Sequence, residues 1–146
     1  MAAPAVKSQL TTFSISTDNA AGTPVIIDGV ISVADLDSGE APETDVTVLS
    51  STEREFMLGL TDPGTFTMSL RFNLDDPGQA ELYKARKDGV MRKFVCTLNA
   101  TNPTLLENIW TANVLVKKMG PDDISVDGVF VTGSVTFRVT GATDWT

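Results

Sequence analysis

The run Phe66, Met68, Leu70, Phe72, alternating with Thr65, Thr67, Ser69 and Arg71, most constrains what this chain can become. Period-two alternation is the signature of a strand with one face buried and one exposed. Thr61-Asp62-Pro63-Gly64 before it is a turn, with proline presetting φ and glycine tolerating the sharp change of direction. Asp75-Asp76-Pro77 after it opens a helix, aspartate at the N-cap and proline at the first helical position. That helix is predicted over about 76–88, gathering Lys84, Arg86 and Lys87 late and stopping at Gly89. Acid first, base last and glycine beyond is the order the helix dipole and a left-handed C-cap favour. Turn, strand and helix thus fit within Gly59–Gly89, and the remaining chain predicts strands only.

Those strands come in order. Residues 1–9, small and polar, predict a flexible N-terminal arm. Leu10–Ser16 is a short strand candidate. Pro24–Ala34 is strongly β-branched, with a bulge or tight bend expected at Asp28-Gly29. Asp35–Glu43 is an acidic loop, Thr44–Leu49 another strand, and Ser50–Leu60 an irregular lead into the central stretch. Val90–Ala100 places Val90, Arg92, Phe94, Cys96 and Leu98 on one face, with Met91, Lys93, Val95 and Thr97 on the other. Leu105–Met119 is ambiguous between helix and strand. Its β-branched and aromatic content, after the Asn102-Pro103 break, favours strand for Ile109–Lys117. Gly120–Asp123 reads as a turn, Val129–Val139 as the longest strand, and Gly141–Thr146 as a polar tail carrying Trp145.

The expected fold is therefore mainly β: an antiparallel sandwich or half-barrel with one flanking helix. A single domain spans 10–141, between the arm at 1–9 and a C-terminal tail at 142–146. With one cysteine there is no internal disulfide, so packing or assembly must hold the chain. Several strands carry apolar residues on both faces, as Ile26, Met91 and Val95 show. Edges and faces of that kind invite pairing with another copy. No apolar run reaches the ~20 residues that cross a bilayer, and MAAPAVKSQL lacks the apolar core of a secretory leader. Asn99-Ala100-Thr101 is consequently not expected to be glycosylated.

Charge divides the chain. Residues 1–62 hold ten carboxylates against Lys7 and Arg54, a net of 2 − 10 = −8, while 63–146 hold nine of each sign. An acidic surface of this kind disfavours a DNA-gripping domain, which works by releasing counterions from phosphate. There is no histidine, the commonest general base and metal ligand. Asp35-Leu-Asp37-Ser-Gly39-Glu40 begins like a calcium loop, yet its glycine falls one place early and Val46 stands where the distal glutamate belongs. Of the paired carboxylates, Asp75/Asp76 caps the helix, Asp122/Asp123 suits a turn, and Glu53/Glu55 has no pocket or nucleophile beside it. Cys96 reads as a buried small hydrophobe. No catalytic, cofactor-binding or metal site is expected. The candidate interaction residues are Asp35, Asp37, Glu40 and Glu43 on the acidic loop and Lys84, Arg86, Lys87, Arg92 and Lys93 around the helix end. The stretch 28–45 has six carboxylates and no cation. Attraction between it and the basic cluster of another copy would be head-to-tail, closing into rings or extending into fibres. Trp110 reads as core; Trp145 is either disordered or an anchor in a neighbour's pocket.

Four blocks now carry a resemblance: DGVISVAD, then TDVTVLSSTEREFMLGLTDPGTFTMSLRFN, then DDPGQAELYKARKDG, then VTFRVTG. In this order, from about Val25 to Gly141, the chain resembles the major tail tube proteins of long-tailed, non-contractile, lambda-like bacteriophages. The Trp145 tail has no counterpart in that pattern, and the immunoglobulin-like decoration domain of some relatives is expected to be absent. The resemblance implies a virion protein, assembled in the host cytoplasm, that joins six to a ring whose sheets form a continuous inner barrel. Stacked rings would make a hollow tube around a tape-measure protein, bounded by tail terminator and tail-tip proteins, through which DNA passes without specific binding. Acidic residues facing the lumen would let phosphate slide. Two other readings remain open: a tube protein of a secretion or injection machine, and a monomeric β-sandwich that binds a basic ligand through 28–45.

Overall fold

A computed structural model describes residues 11–98, 109–126, 128 and 130–146. Its elements are β1 (Thr12–Ser16), β2 (Pro24–Ile26), β3 (Val30–Ala34), β4 (Glu43–Asp45), β5 (Phe56–Leu58) and β6 (Thr65–Arg71). They continue with α1 (Pro77–Asp88), β7 (Arg92–Thr97), β8 (Ile109–Asp123) and β9 (Thr132–Trp145). The proposed arm at 1–9, the turn at 99–104 and its glycosylation motif lie outside the described residues.

Seven strands form one sheet in the order β2-β1-β7-β8-β9-β6-β3, every neighbouring pair antiparallel. Its two marginal strands, β2 and β3, are separated in the chain only by Ile27, Asp28 and Gly29. Three residues reach roughly 10 Å, so the sheet must coil until its first and last strands nearly meet. It is a half-barrel drawn shut along a seam. The connector bonds to both sides of that seam: Ile27 N–H donates to the Phe13 carbonyl (2.9 Å), and Arg71 N–H donates to the Gly29 carbonyl (2.7 Å). Gly29 sits at φ 80°, where a side chain would be strained.

The helix plugs the seam. Asp76 caps it by accepting from Gln79 N–H at 3.0 Å, Pro77 leads, and Gly89 closes it at φ 68°. Gln79, buried, donates through Nε2 to the carbonyls of Asp28 (2.9 Å) and Arg71 (2.8 Å) and accepts from Asn73 N–H (2.8 Å). Gly78 rests on the β2 end so closely that a Cβ would stand 2.4 Å from the Ile26 carbonyl oxygen. Inside, Phe66 stacks on Phe137 (centroids 4.6 Å apart) and meets Trp110 edge-on at 5.5 Å. Leu82 and Ala85 of α1 join that core.

Four expectations need correction. The predicted turn at Gly120–Asp123 is the end of β8, because bulges after Val116 and Pro121 let the strand carry its proline and keep Met119 inward. The predicted tail at 142–146 is the end of β9, paired to β8 through Trp110↔Trp145 and Thr111↔Asp144. The strand expected over Thr44–Leu49 shortens to Glu43–Asp45, and the irregular segment Ser50–Leu60 contains β5, its partner. Local apolar content is the same in either description; pairing decides which residues are strand.

Candidate functional site

Among the described residues, three exposed features organise the surface. The first is an arm. β4 and β5 form a separate two-stranded sheet, and every residue in both strands is exposed. Along it Val48, Leu49, Phe56, Met57, Leu58 and Leu60 are all more than half exposed. A lone hairpin is at best marginal in water, and an apolar display of this size marks an interaction surface.

The base of the arm is fixed. Glu40 and Asp62 exchange backbone hydrogen bonds of 2.8 Å, Arg138 reaches the Asp62 carboxylate at 2.8 Å, and Ser38 Oγ donates to the Thr65 carbonyl. The Asp62 carboxyl is held below its usual range first by the Gly64 N–H and then by Arg138. Nearer the tip, Asp45 accepts from Thr47 and pairs with Arg54 at 2.8 Å; the Thr47 bonds are the larger cause of its lowered pKa.

The acidic loop joins this arm. Asp35 and Asp37 occupy the left-handed region at φ 64° and 55°, and Asp35, Asp37, Glu40 and Glu43 are all exposed. Residues 35–62 together hold eight carboxylates and one cation, Arg54, a net of 1 − 8 = −7. Asp37 accepts the indole N–H of Trp145 at 2.8 Å. Trp145, half-buried and 6.5 Å from Trp110 between centroids, is therefore neither a disordered residue nor a free anchor.

The basic cluster does not act as a unit. Arg92 is fully buried, bound to Glu81 and Asp88 at 2.8 Å each, and ties β7 to α1; it is not available to another copy. Lys84 pairs with Asp18, which lowers the Asp18 pKa and raises that of Lys84. Arg86 and Lys87 lie over the Tyr83 ring, and Lys93 is exposed. Alternation put Arg92 on the apolar face with Phe94 and Cys96, a signal of its burial.

The third feature is the outward face of β6, β9, β8 and β7, four neighbouring strands. Its cross-strand rows read Ser69–Ser134–Gly120, Thr67–Thr136–Lys118, Thr65–Arg138–Leu115 and Thr140–Asn113–Lys93. The same face carries single carboxylates toward its ends: Asp144 opposite Thr111, Asp123 opposite Thr132, Asp122 accepting from Ser134 Oγ, and Asp62 on Arg138. The acidic surplus is on the arm and loop instead. Sequence reasoning passed over this face because threonine and serine alternation reads only as solvent-facing strand.

A coiled antiparallel sheet sealed by one helix, with a projecting apolar arm, defines a β-structural protein with an interaction surface. The model of the lambda-like phage tail tube family matches residues 4–146, and the chain belongs to that family: it is a structural component of the phage tail tube and hence of the virion. No curated protein sequence matches it. Among solved structures it is similar to the SPP1 tail tube (15% identity, TM-score 0.70, covering 97% of this chain and 80% of that one). It is also similar to a chain in the tail of an empty gene transfer agent particle refined with C6 symmetry (18%, 0.74, 97% and 99%). A third likeness is to a chain in the sheath/tube terminator of the PVC extracellular contractile injection system (12%, 0.70, 99% and 99%). At such identities the likeness is one of fold.

Proposed function

We propose that six copies of this chain join into a ring, that rings stack into a hollow tube, and that the tube surrounds a tape-measure protein and later conducts DNA. The observation that carries this reading is the arm, whose apolar residues from Val48 to Leu60 are exposed and, among the described residues, stand outside the core cluster. Burying them against a neighbouring copy would supply roughly 1.5–3 kcal/mol per large side chain. The sixfold symmetry of the similar gene transfer agent tail supports the number six. Asp35, Asp37, Glu40 and Glu43, with the arm at 1–9, meet neighbouring rings; Arg86, Lys87 and Lys93 are the cations available to an acidic loop of another copy, Lys84 being paired with Asp18. Terminator and tail-tip proteins bound the stack. A tube of an injection machine is the second reading, favoured only by the fold likeness to the PVC chain.

The test is a Leu49→Asp/Leu58→Asp variant beside the wild-type protein, followed by electron microscopy and by light scattering against concentration. The variant should keep its thermal midpoint, because both side chains are exposed, and should lose rings and tubes. Wild-type protein that stays monomeric at high concentration, or a variant that assembles equally well, overturns the proposal. Deleting residues 1–9 separately tests the ring-to-ring role of that arm through tube length.

A further inference from the structure

We infer that Trp145 and Asp37 are positioning residues for assembly: their bond fixes the bearing at which the β4–β5 arm leaves its subunit, so the end of β9 sets how readily that arm docks on a second copy. The inference rests on the arm reading above and concerns what aims the arm. A hairpin tied to a body at one limb swings about that joint; tied at both limbs, it holds a direction. The returning limb, residues 60–64, is tied to the middle of β9. Arg138 reaches the Asp62 carboxylate at 2.8 Å, and Val139 N–H donates to the Gly64 carbonyl at 3.0 Å. The outgoing limb, residues 35–43, is tied to the end of the same strand by Trp145 Nε1–H donating to Asp37 at 2.8 Å. Ser38 Oγ, donating to the Thr65 carbonyl at 3.1 Å, braces that limb on β6. Farther out, the bonds among the described residues run from limb to limb, as from Gly59 N–H to the Pro42 carbonyl at 2.8 Å. Aim is therefore decided at the root.

Both partners of this bond are held in place by unusual backbone. Asp35 and Asp37 sit at φ 64° and 55°, left-handed conformations that a residue other than glycine keeps only where its surroundings impose them. Leu36 between them packs against the core, so the two turns lift the chain off the body around a buried pin. On the other side β9 bends at Gly141, φ 80°, where its register against β8 shifts between Thr111 and Asn113; such irregularities re-aim side chains. Past the bend, Asp144 and Trp145 pair again with Thr111 and Trp110, and the Trp145 ring lies 6.5 Å from that of Trp110. The indole is thus fixed by its own strand before it meets Asp37. An arm without this second tie samples several bearings, and its apparent affinity for a neighbour falls in proportion to the fraction that points correctly.

The lowest protein concentration at which tubes form, read by light scattering and electron microscopy, tests this. Trp145→Phe keeps most of the ring and removes the donor; it should raise that threshold about two- to tenfold, the worth of one hydrogen bond. Asp37→Gly suits the left-handed backbone and removes the acceptor, and should raise the threshold as well. Once Asp37→Gly is present, Trp145→Phe should add little, because the two residues act through one bond. Asp37→Asn keeps both a carbonyl acceptor and the φ, and should assemble close to wild type. Val135→Ala, which weakens the buried core away from the latch, should lower the thermal midpoint and leave the threshold in place. Single variants that assemble like wild type, effects that add in full in the double variant, or a threshold raised equally by Val135→Ala overturn the positioning role. In each of those cases the arm reading stands if Leu49→Asp/Leu58→Asp still abolishes tubes. Normal assembly of Leu49→Asp/Leu58→Asp overturns the arm reading and this inference together.

Discussion

Trp145 and Asp37 are joined by an indole N–H to carboxylate hydrogen bond of 2.8 Å, 108 residues apart in the chain. The bond ties the last strand to the acidic loop that leads into the arm. Its neighbour Trp110 packs on the same ring. Replacing Trp145 by alanine removes ring packing and the bond together, and should cost about 2–4 kcal/mol in urea unfolding. Trp145→Phe keeps most packing and should cost about 1 kcal/mol, but it frees the loop; hydrogen exchange at Glu40 N–H should then accelerate.

Gln79 is the peg of the seam, with two carbonyls and one N–H depending on its amide. Gln79→Ala leaves those backbone groups without partners in a dry site, and a lost buried partner costs about 1–3 kcal/mol. The expected total is about 3–5 kcal/mol. Gln79→Glu is expected to be at least as harmful, since a carboxylate would face two carbonyl oxygens. Equilibrium denaturation of both variants checks this; a change below about 1 kcal/mol in either would mean the seam closes without the peg.

Cys96 is buried in the core, and burial pushes its thiol up to about 11. At pH 8 it should react with iodoacetamide only as fast as the protein unfolds. The folded pKa is raised, so its contribution to stability is complete below the unfolded value of about 9. That contribution is lost as pH rises from there through about 11. The loss should reach roughly 2–3 kcal/mol. Cys96→Ala, measured over the same range, should flatten that part of the profile.

Asp62 is held below the usual carboxylate range by the Gly64 N–H first and Arg138 second. A depressed folded pKa means that the lock at the arm's base is complete above the unfolded value of about 3.8 and is lost as pH falls through the lower folded one. A carboxyl-carbon NMR titration should place the Asp62 midpoint below 3.8. In Arg138→Gln that midpoint should rise only part of the way back, because the backbone donor remains. A full return would reverse the order of the two causes.

Local chemistry was legible wherever it was short-range. The helix from Asp76 to Gly89, the Phe66–Phe72 alternation, the bend at Asp28-Gly29 and the inward face of Phe94 and Cys96 each depend on neighbours within a few residues. The arm was half legible: Val46–Leu49 and Phe56–Leu60 are two apolar runs around Ser50-Ser51-Thr52, a hairpin pattern that an irregular reading passed over. Arg92 failed as a surface residue, because its charge suggested exposure while its position in the alternation dictated burial.

By itself, then, the amino-acid order determined a β-rich chain with one capped helix and a divided charge, since propensity, capping and composition act along the backbone. Only the tertiary structure decided that β2 and β3 close a seam, that Trp145 ends a strand, and that Arg92 is enclosed. Each of these depends on which distant segments pair, and strand register across such separations is set by packing a common core, not by any local signal.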